Sequence, residues 1–260
     1  MESVCCMSNK NSFSDLKTLL KSLACFSPGL PIIVMCDDHV KNELKDSYQR
    51  VEVIDGLEPY SDKNRRQMEY EGIFKEFTLK KLDVITYALQ KYKNTLFLDA
   101  DIILLQSLKD IIPAENLLKD CGLSPHLIKE ENEKQYGIYN SGFMYISNIQ
   151  VVEWWREAAK TSTFFEQKAL DDLPFNFATF FFEPQNNFGW WRLCECDEPM
   201  SVANKFCIEN NIILYDNKPL NSVHTHIGDT FIYTEIFNTF LVTMIRQTNN
   251  RQLFDIFQMV

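Results

Sequence analysis

Short apolar runs alternate with segments of helical periodicity in the first third of the chain. Residues 4–7, 31–36 and 51–54 are apolar runs with the length of buried strands. Between the first two runs, leucines recur at the spacing of one helix face, at Leu16, Leu19, Leu20 and Leu23. Because strands that alternate with helices form parallel sheets covered on both faces, the pattern predicts an α/β fold with a mixed, mostly parallel central sheet flanked by helices.

The pattern continues with a predicted helix over residues 77–91, a strand over Tyr139–Ile146 and a helix over 151–160. Residues 129–134 are acidic and polar and favour a loop. Nearer the carboxyl end we expect a helix over 200–210, a strand over Ile212–Tyr215 and a strand containing Ser222 to His226. Apolar residues from Phe231 to Ile245 predict a closing helix that packs back on the sheet.

The charged segment 56–75 allows two interpretations. A run of charges is usually a solvent-facing loop or helix. Long loops in compact domains are often functional, and this one contains Lys63, Arg65 and Arg66. The alternative is therefore a basic lip that meets the phosphates of a ligand.

Two carboxylates interrupt the apolar run from Leu96 to Leu105, at Asp99 and Asp101. A buried carboxylate is tolerated when it is paired or binds a metal, and a divalent cation would relieve the repulsion between two of them. Ligands of open α/β sheets bind at the carboxyl ends of strands. The pair is thus well placed to hold Mn²⁺ or Mg²⁺ against a diphosphate.

Composition limits the classes of partner. The chain has 260 residues and 45% hydrophobic content, which suits a globular protein, and its formal charge of −10 argues against a nucleic-acid partner. No apolar run approaches the ~20 residues of a membrane span. The eight cysteines are scattered through apolar segments and are expected to be free thiols. We expect a soluble, cytoplasmic protein.

The segment Lys81-Leu82-Asp83-Val84, followed by Leu96-Phe97-Leu98-Asp99-Ala100-Asp101, resembles the DxD region of GT-A glycosyltransferases of the glycogenin and galactosyltransferase (GT8-like) type. Asn140-Ser141-Gly142 is similar to the "NSG" strand of the same enzymes. The resemblance implies one GT-A domain over residues 1–260, with a nucleotide-binding half at 1–105 and an acceptor-binding half at 106–260. It also implies transfer of a hexose, deoxyhexose or pentose from a nucleoside-diphosphate sugar, with UDP favoured, to a hydroxyl of a glycan or glycoconjugate.

The resemblance implies roles for particular residues. The diphosphate, its metal and the sugar would be bound near Lys81, Asp99, Ala100, Asp101, Ser141 and Gly142. Asn140, Gln167 and Asp171 or Asp172 would lie beside the transferred sugar, although Glu166 stands where the family pattern has Asp. As polar ends of the first two strands, Ser8, Asn9 and Asp37 are candidates for the nucleoside.

A late histidine completes the metal site in the resembling enzymes. Here His224 and His226 both fall near the expected place, two residues apart, so both side chains would point to one side of a strand. We favour His224 as the metal ligand and place His226 nearer the phosphates.

Two other functions fit the same residues. HAD-type phosphatases also carry Asp-x-Asp after an apolar strand, but there it follows the first strand of the domain, whereas about three strands precede it here. A GT-A module without catalysis could bind a nucleotide sugar or glycan as a scaffold. The sequence does not distinguish retaining from inverting transfer, and it does not give the oligomeric state.

Overall fold

The computed structural model describes residues 1–45, 50–226 and 232–257. Its strands are β1 (Ser3–Ser8), β2 (Ile32–Cys36), β3 (Val51–Asp55), β4 (Thr95–Leu98), β5 (Ile102–Leu104), β6 (Cys121–Pro125), β7 (Tyr139–Ile146), β8 (Thr179–Phe181), β9 (Phe188–Gly189), β10 (Phe206–Glu209), β11 (Ile212–Tyr215), β12 (Lys218–Pro219) and β13 (Ser222–His224). Its α-helices are α1 (Phe13–Phe26), α2 (Asp38–Leu44), α3 (Arg65–Tyr70), α4 (Phe74–Lys91), α5 (Glu130–Tyr136), α6 (Ile149–Thr161), α7 (Trp190–Cys194), α8 (Pro199–Ala203), α9 (Ile232–Gln247) and α10 (Arg251–Phe257).

The main sheet has seven strands in the order β3-β2-β1-β4-β7-β6-β8. β1 is parallel to β2 and β4, β2 is parallel to β3, and β6 is parallel to β8. Only β7 runs antiparallel to its neighbours β4 and β6. Every residue of β1, β2 and β4 is buried, because helices cover both faces and apolar side chains are needed on each. The predicted mixed, mostly parallel sheet is confirmed.

Two apolar layers enclose this sheet. One face packs on α1 and α2 through residues such as Leu16, Leu20 and Val40. The opposite face packs on α4 and α6, where Ile85 and Trp155 are fully buried. The carboxyl ends of β1 and β4 emerge between these layers, and ligands of open α/β sheets bind at that edge.

A smaller sheet, in the order β5-β13-β9, lies beyond the end of β4. The closing helix α9 packs against it, with Phe237 and Leu241 in one buried cluster with Ile103 and Val223. The helix was predicted to pack back on the sheet, and it packs on this smaller sheet. Phe231, the first residue of the predicted helix, lies outside the described residues.

Two predicted elements are wrong. The predicted loop at 129–134 is the helix α5, in which no residue is buried and which therefore gives no apolar periodicity. The predicted helix over 200–210 is instead the short α8 followed by β10, which pairs with β11. The hairpin turn between β10 and β11 uses Asn210 and Asn211, with φ of 50° and 63°. Asparagine tolerates this left-handed conformation, so the pair was an overlooked hairpin signal.

Candidate active site

The Asp99-Ala100-Asp101 segment is where the chain passes from the main sheet to the smaller one. A single strand was expected here, but β4 ends at Leu98 and β5 begins at Ile102. The Asp99 N–H donates to the Gly142 carbonyl at 2.8 Å, and the Ile102 N–H donates to the Asp99 carbonyl at 3.2 Å. Both carboxylates are thereby fixed at the carboxyl end of β4.

Gly142 makes room for this turn. A Cβ at this position would lie 2.3 Å from Asp99 Oδ2 and 2.7 Å from His224 Cε1. No side chain fits at such distances, so the glycine of the Asn140-Ser141-Gly142 segment is required by the close approach of two candidate site residues.

Lys81 reaches the site from α4 and forms a buried polar cluster. Its Nζ lies 2.7 Å from Glu166 Oε1 and 3.9 Å from Asp99 Oδ1, and it donates to Ser141 Oγ at 2.9 Å. Ser141 Oγ in turn donates to Glu166 Oε1 at 2.8 Å. Burial alone would lower the pKa of Lys81, but the charges of Asp99 and Glu166 outweigh it and raise the pKa. The lysine therefore remains charged beside Asp99.

His224 and His226 both lie against Asp101. His224 Nε2 is 2.9 Å from Asp101 Oδ1, and His226 Nδ1 is 3.4 Å from Asp101 Oδ2. The two rings stack with centroids 4.6 Å apart. The predicted strand ends at His224, and His226 has a φ of 48°, so a turn rather than strand alternation brings the second ring to the same side.

The charges of Asp101 and His224 stabilise each other in this cluster. Burial would lower the pKa of His224, but the Asp101 carboxylate outweighs it and the pKa is raised. Burial alone would raise the pKa of Asp101, but the two histidines have the larger effect and the pKa is lowered. Asp101 thus keeps its negative charge although it is largely shielded from water.

The residues present fit a divalent metal ion. Asp101, His224 and His226 each offer one ligand atom, and these atoms lie within 4.8 Å of one another. His224 Nδ1 is buried and makes no hydrogen bond with any described residue. Imidazole and carboxylate are both suitable ligands for Mn²⁺.

A cavity of about 740 Å³ opens beside this cluster. Its wall includes the carboxylates Asp99 and Asp101 and the ring of His226. Further lining residues come from the end of β1, the start of α1, the segment before and within α3, and α4: Met7, Asn9, Asn11, Ser12, Asp15, Lys63, Asn64, Arg65, Arg66, Met68, Glu69, Phe74, Phe77, Thr78 and Lys81. Ala100 completes the lining.

The candidates for the nucleoside differ in their contacts. Asn9 lines the cavity, and its Nδ2 donates to the Tyr60 carbonyl at 2.7 Å. Ser8 is buried with its hydroxyl 2.9 Å from that of Ser12. Asp37 accepts from the Val40 N–H at the start of α2 and from the Lys10 N–H. The Asp37 carboxylate stabilises these backbone turns and does not reach the cavity.

The candidates for contact with the transferred sugar also differ in the contacts they make within the protein. Gln167 Oε1 accepts from the Ser141 N–H at 3.2 Å, which places the amide beneath the Lys81 cluster. Asn140 Oδ1 accepts from the Gly142 N–H at 3.0 Å and orders the same strand. Asp171 is paired with Lys168 at 2.7 Å, and Asp172 is exposed. Like Asn140 and Gln167, neither of these carboxylates lines the cavity.

Asp15 is a cavity residue that the sequence analysis overlooked. It lies in the first turn of α1, where an acidic residue is common because it complements the helix dipole. Its position in the sequence therefore carries no functional signal. Burial, with a smaller contribution from Asp101, raises the pKa of its carboxyl to about 7.

A family model described as nucleotide-diphospho-sugar transferase matches residues 31–211. The chain belongs to this family. It is a glycosyltransferase, and the family implies a nucleotide-sugar donor, so the phosphatase hypothesis is set aside. A search of curated proteins finds no match.

Solved structures match at low sequence identity, so these matches support the fold alone. The galactosyltransferase LgtC, in complex with donor and acceptor sugar analogs, matches with a TM-score of 0.56 and 16% identity over 93% of this chain and 95% of that one. The glycosyltransferase GlyE of Streptococcus pneumoniae TIGR4 matches with a TM-score of 0.54 and 13% identity over 97% of this chain and 64% of that one. Mouse xyloside xylosyltransferase 1 matches with a TM-score of 0.52 and 12% identity over 88% of this chain and 99% of that one. The expected GT-A fold is confirmed. Within the described residues, no helix has the length and apolar character to cross a membrane.

Proposed function

We propose that the enzyme transfers a sugar from a nucleoside-diphosphate sugar, with UDP favoured as the nucleotide, and that the transfer depends on Mn²⁺ or Mg²⁺. The observation that carries this proposal is that the ligand atoms of Asp101, His224 and His226 lie within 4.8 Å of one another at the end of β4, where Asp101 and His226 line the cavity. The acceptor is a hydroxyl of a glycan or glycoconjugate.

Asp101 and His224 are the proposed metal ligands, with Asp99 and His226 beside them. When bound, the metal would neutralise charge on the diphosphate leaving group. Asp101 is kept ionised by the two imidazoles, and Asp99 is held by its own backbone bond to Gly142 and by the charge of Lys81. The chain thus fixes the ligands before the donor arrives.

Gln167, Ser141 and Asn140 are proposed to position the sugar subsite through the cavity residues Lys81 and Asp99, since none of the three lines the cavity itself. Ser141 connects Gln167 to the Lys81 cluster, and Asn140 fixes the backbone of Gly142. This arrangement orients polar groups next to Asp99. We retain the division into a nucleotide-binding half at 1–105 and an acceptor-binding half at 106–260 as part of the proposal, since Asn9, Lys81 and Asp99 belong to the first half and Gln167 to the second.

Nucleotide release from a panel of UDP-sugars and GDP-sugars tests the proposal. We expect release from one donor with Mn²⁺, loss of release with EDTA, and loss in Asp101→Asn. The matched control is Asp255→Asn, an exposed carboxylate on α10 outside the cavity, which should behave like the wild type. Release that is unaffected by EDTA would contradict the metal role. Binding of a donor without release from any of them would favour the inert module.

A further inference from the structure

A second feature of the cavity is residues 58–70 of the charged segment, which contain a 3₁₀ turn (Glu58–Tyr60) and α3. These residues are called the basic lip from here on because their cations Lys63, Arg65 and Arg66 line the cavity. The end of β1 holds it in place. Asn9 Nδ2 donates to the carbonyls of Tyr60 at 2.7 Å and Lys63 at 3.1 Å. The Tyr60 ring is buried and its hydroxyl donates to Glu76 Oε1 at 2.8 Å. The basic lip is therefore fixed over the strand end where the donor is expected.

The helical part of the basic lip is also ordered without a ligand. Asn64 Oδ1 accepts from the Gln67 N–H at 3.0 Å, and Gln67 Oε1 accepts from the Asn64 N–H at 2.8 Å. Met68 is buried in the core beneath α4. An anchored helix presents its cavity-facing side chains with little ordering cost on binding.

The cations on the cavity wall are not equivalent. Lys63 is paired with Glu71, Arg65 Nε lies 2.8 Å from Glu69 Oε1, and Lys81 is paired with Glu166. Arg66 lines the same cavity but makes no hydrogen bond or ion pair with any residue that the structure describes. Its charge is therefore available to a ligand.

We propose that Arg66 binds the diphosphate of the nucleotide sugar, in addition to the metal and independently of it. This inference rests on the proposed function. A guanidinium presents several N–H donors in a plane that matches phosphate oxygens. Because the formal charge of the chain is −10, a free cation at the cavity also offsets repulsion between the protein and an anionic donor.

Titration calorimetry with UDP and GDP, and with uridine and guanosine as matched probes, tests this role. We expect Arg66→Ala to weaken binding of the nucleoside diphosphate by about 10-fold to 100-fold, the range for a lost hydrogen bond to a charged group. The loss should be present in both EDTA and Mn²⁺, and nucleoside binding should not change. Arg66→Lys should restore part of the affinity, because lysine keeps the charge without the planar donors.

Arg246→Ala is the control, since it changes the net charge equally at an exposed site on α9, outside the cavity lining. It should bind like the wild type. Nucleoside diphosphate affinity equal in Arg66→Ala and the wild type would overturn the inference while leaving the proposed function intact. An equal loss for nucleoside and nucleoside diphosphate would also overturn it, because Arg66 would then act through the shape of the basic lip. A wild type that binds neither UDP nor GDP would contradict the proposed function itself.

Discussion

Asp99 lies between two charged clusters that differ in how their charges are neutralised. On one side Lys81, Ser141 and Glu166 are buried and bonded to one another, so a cation meets an anion inside the protein. On the other side Asp101 meets two imidazoles, and no lysine or arginine is bonded to it within the described residues. In the first cluster a buried cation and a buried anion neutralise each other without a ligand, and only Glu166 Oε2 accepts no hydrogen bond from a described residue. The second cluster offers groups that a metal ion would bind.

This difference separates stability from binding. A buried ion pair contributes little net stability when intact but costs a great deal when one partner is lost. A carboxylate on a cavity wall can be changed without opening a hole in the core. Substitutions in the Lys81 cluster should therefore act on folding, and substitutions in the Asp101 cluster should act on ligands.

Glu166→Ala should give the largest loss of stability. Lys81 would remain buried without its closest anion, and we expect the free energy of unfolding to fall by ~3–5 kcal/mol in chemical denaturation. Glu157→Ala removes an exposed partner of Lys160 on α6 and should have an effect close to zero. Similar small losses of unfolding free energy in both variants would show that the Lys81 cluster does not stabilise the fold.

Gly142→Ala should damage both clusters. The new methyl group would overlap Asp99 and His224, and we expect a loss of ~1–3 kcal/mol in unfolding free energy, as for other overpacked sites. Metal-dependent nucleotide affinity should fall in the same variant because Asp99 must move. Wild-type stability together with wild-type affinity would exclude the close approach described for this glycine.

The pH dependence should have opposite signs with and without metal. The folded-state pKa of His224 is raised above the ordinary value of 6.5. Without metal its charged pair with Asp101 therefore stabilises the fold fully below about pH 6.5, and this contribution is lost as the pH rises through the raised pKa. Binding of Mn²⁺ needs the neutral ring and should strengthen over the same rise.

Thermal unfolding in EDTA and Mn²⁺ titration across this pH range measure both trends. The part of each pH trend that is due to His224 should be absent in His224→Gln. Parallel trends in the two measurements would contradict the assignment of His224 to the metal cluster.

Asp15→Asn should have the smallest effect. The pKa of Asp15 is raised to about 7 from 3.8, so its ionisation costs stability that is fully felt above about pH 7 and absent below the unfolded value. Removing the charge should raise the Tm at alkaline pH, by about 2–4 °C for each kcal/mol recovered in a chain of this size. No gain should appear near pH 4, and a gain that is independent of pH would contradict this cause.

The sequence predicted those features that leave a local pattern. Buried parallel strands give apolar runs, and the Asp99 and Asp101 pair is conspicuous within one. The contacts of Asp37 and Asp171 could not be predicted, since capping a helix and pairing with a nearby lysine use the same carboxylate that a ligand would. Asp15 became a candidate only when the fold brought α1 to the cavity. Arg66 belongs to a segment that the sequence marks, but only the ion pairs of Lys63 and Arg65 distinguish it from these neighbouring cations.

The most direct test of the comparison is Mn²⁺ binding, measured by electron paramagnetic resonance in Asp101→Asn and Glu166→Gln. Loss of a ligand should cost at least the ~10-fold to 100-fold in affinity that changes around a metal site cost. We therefore predict that Asp101→Asn stays folded and loses Mn²⁺, whereas Glu166→Gln is less stable but binds Mn²⁺ close to the wild-type level wherever it is folded. Equal Mn²⁺ affinity in Asp101→Asn and the wild type would contradict the central claim.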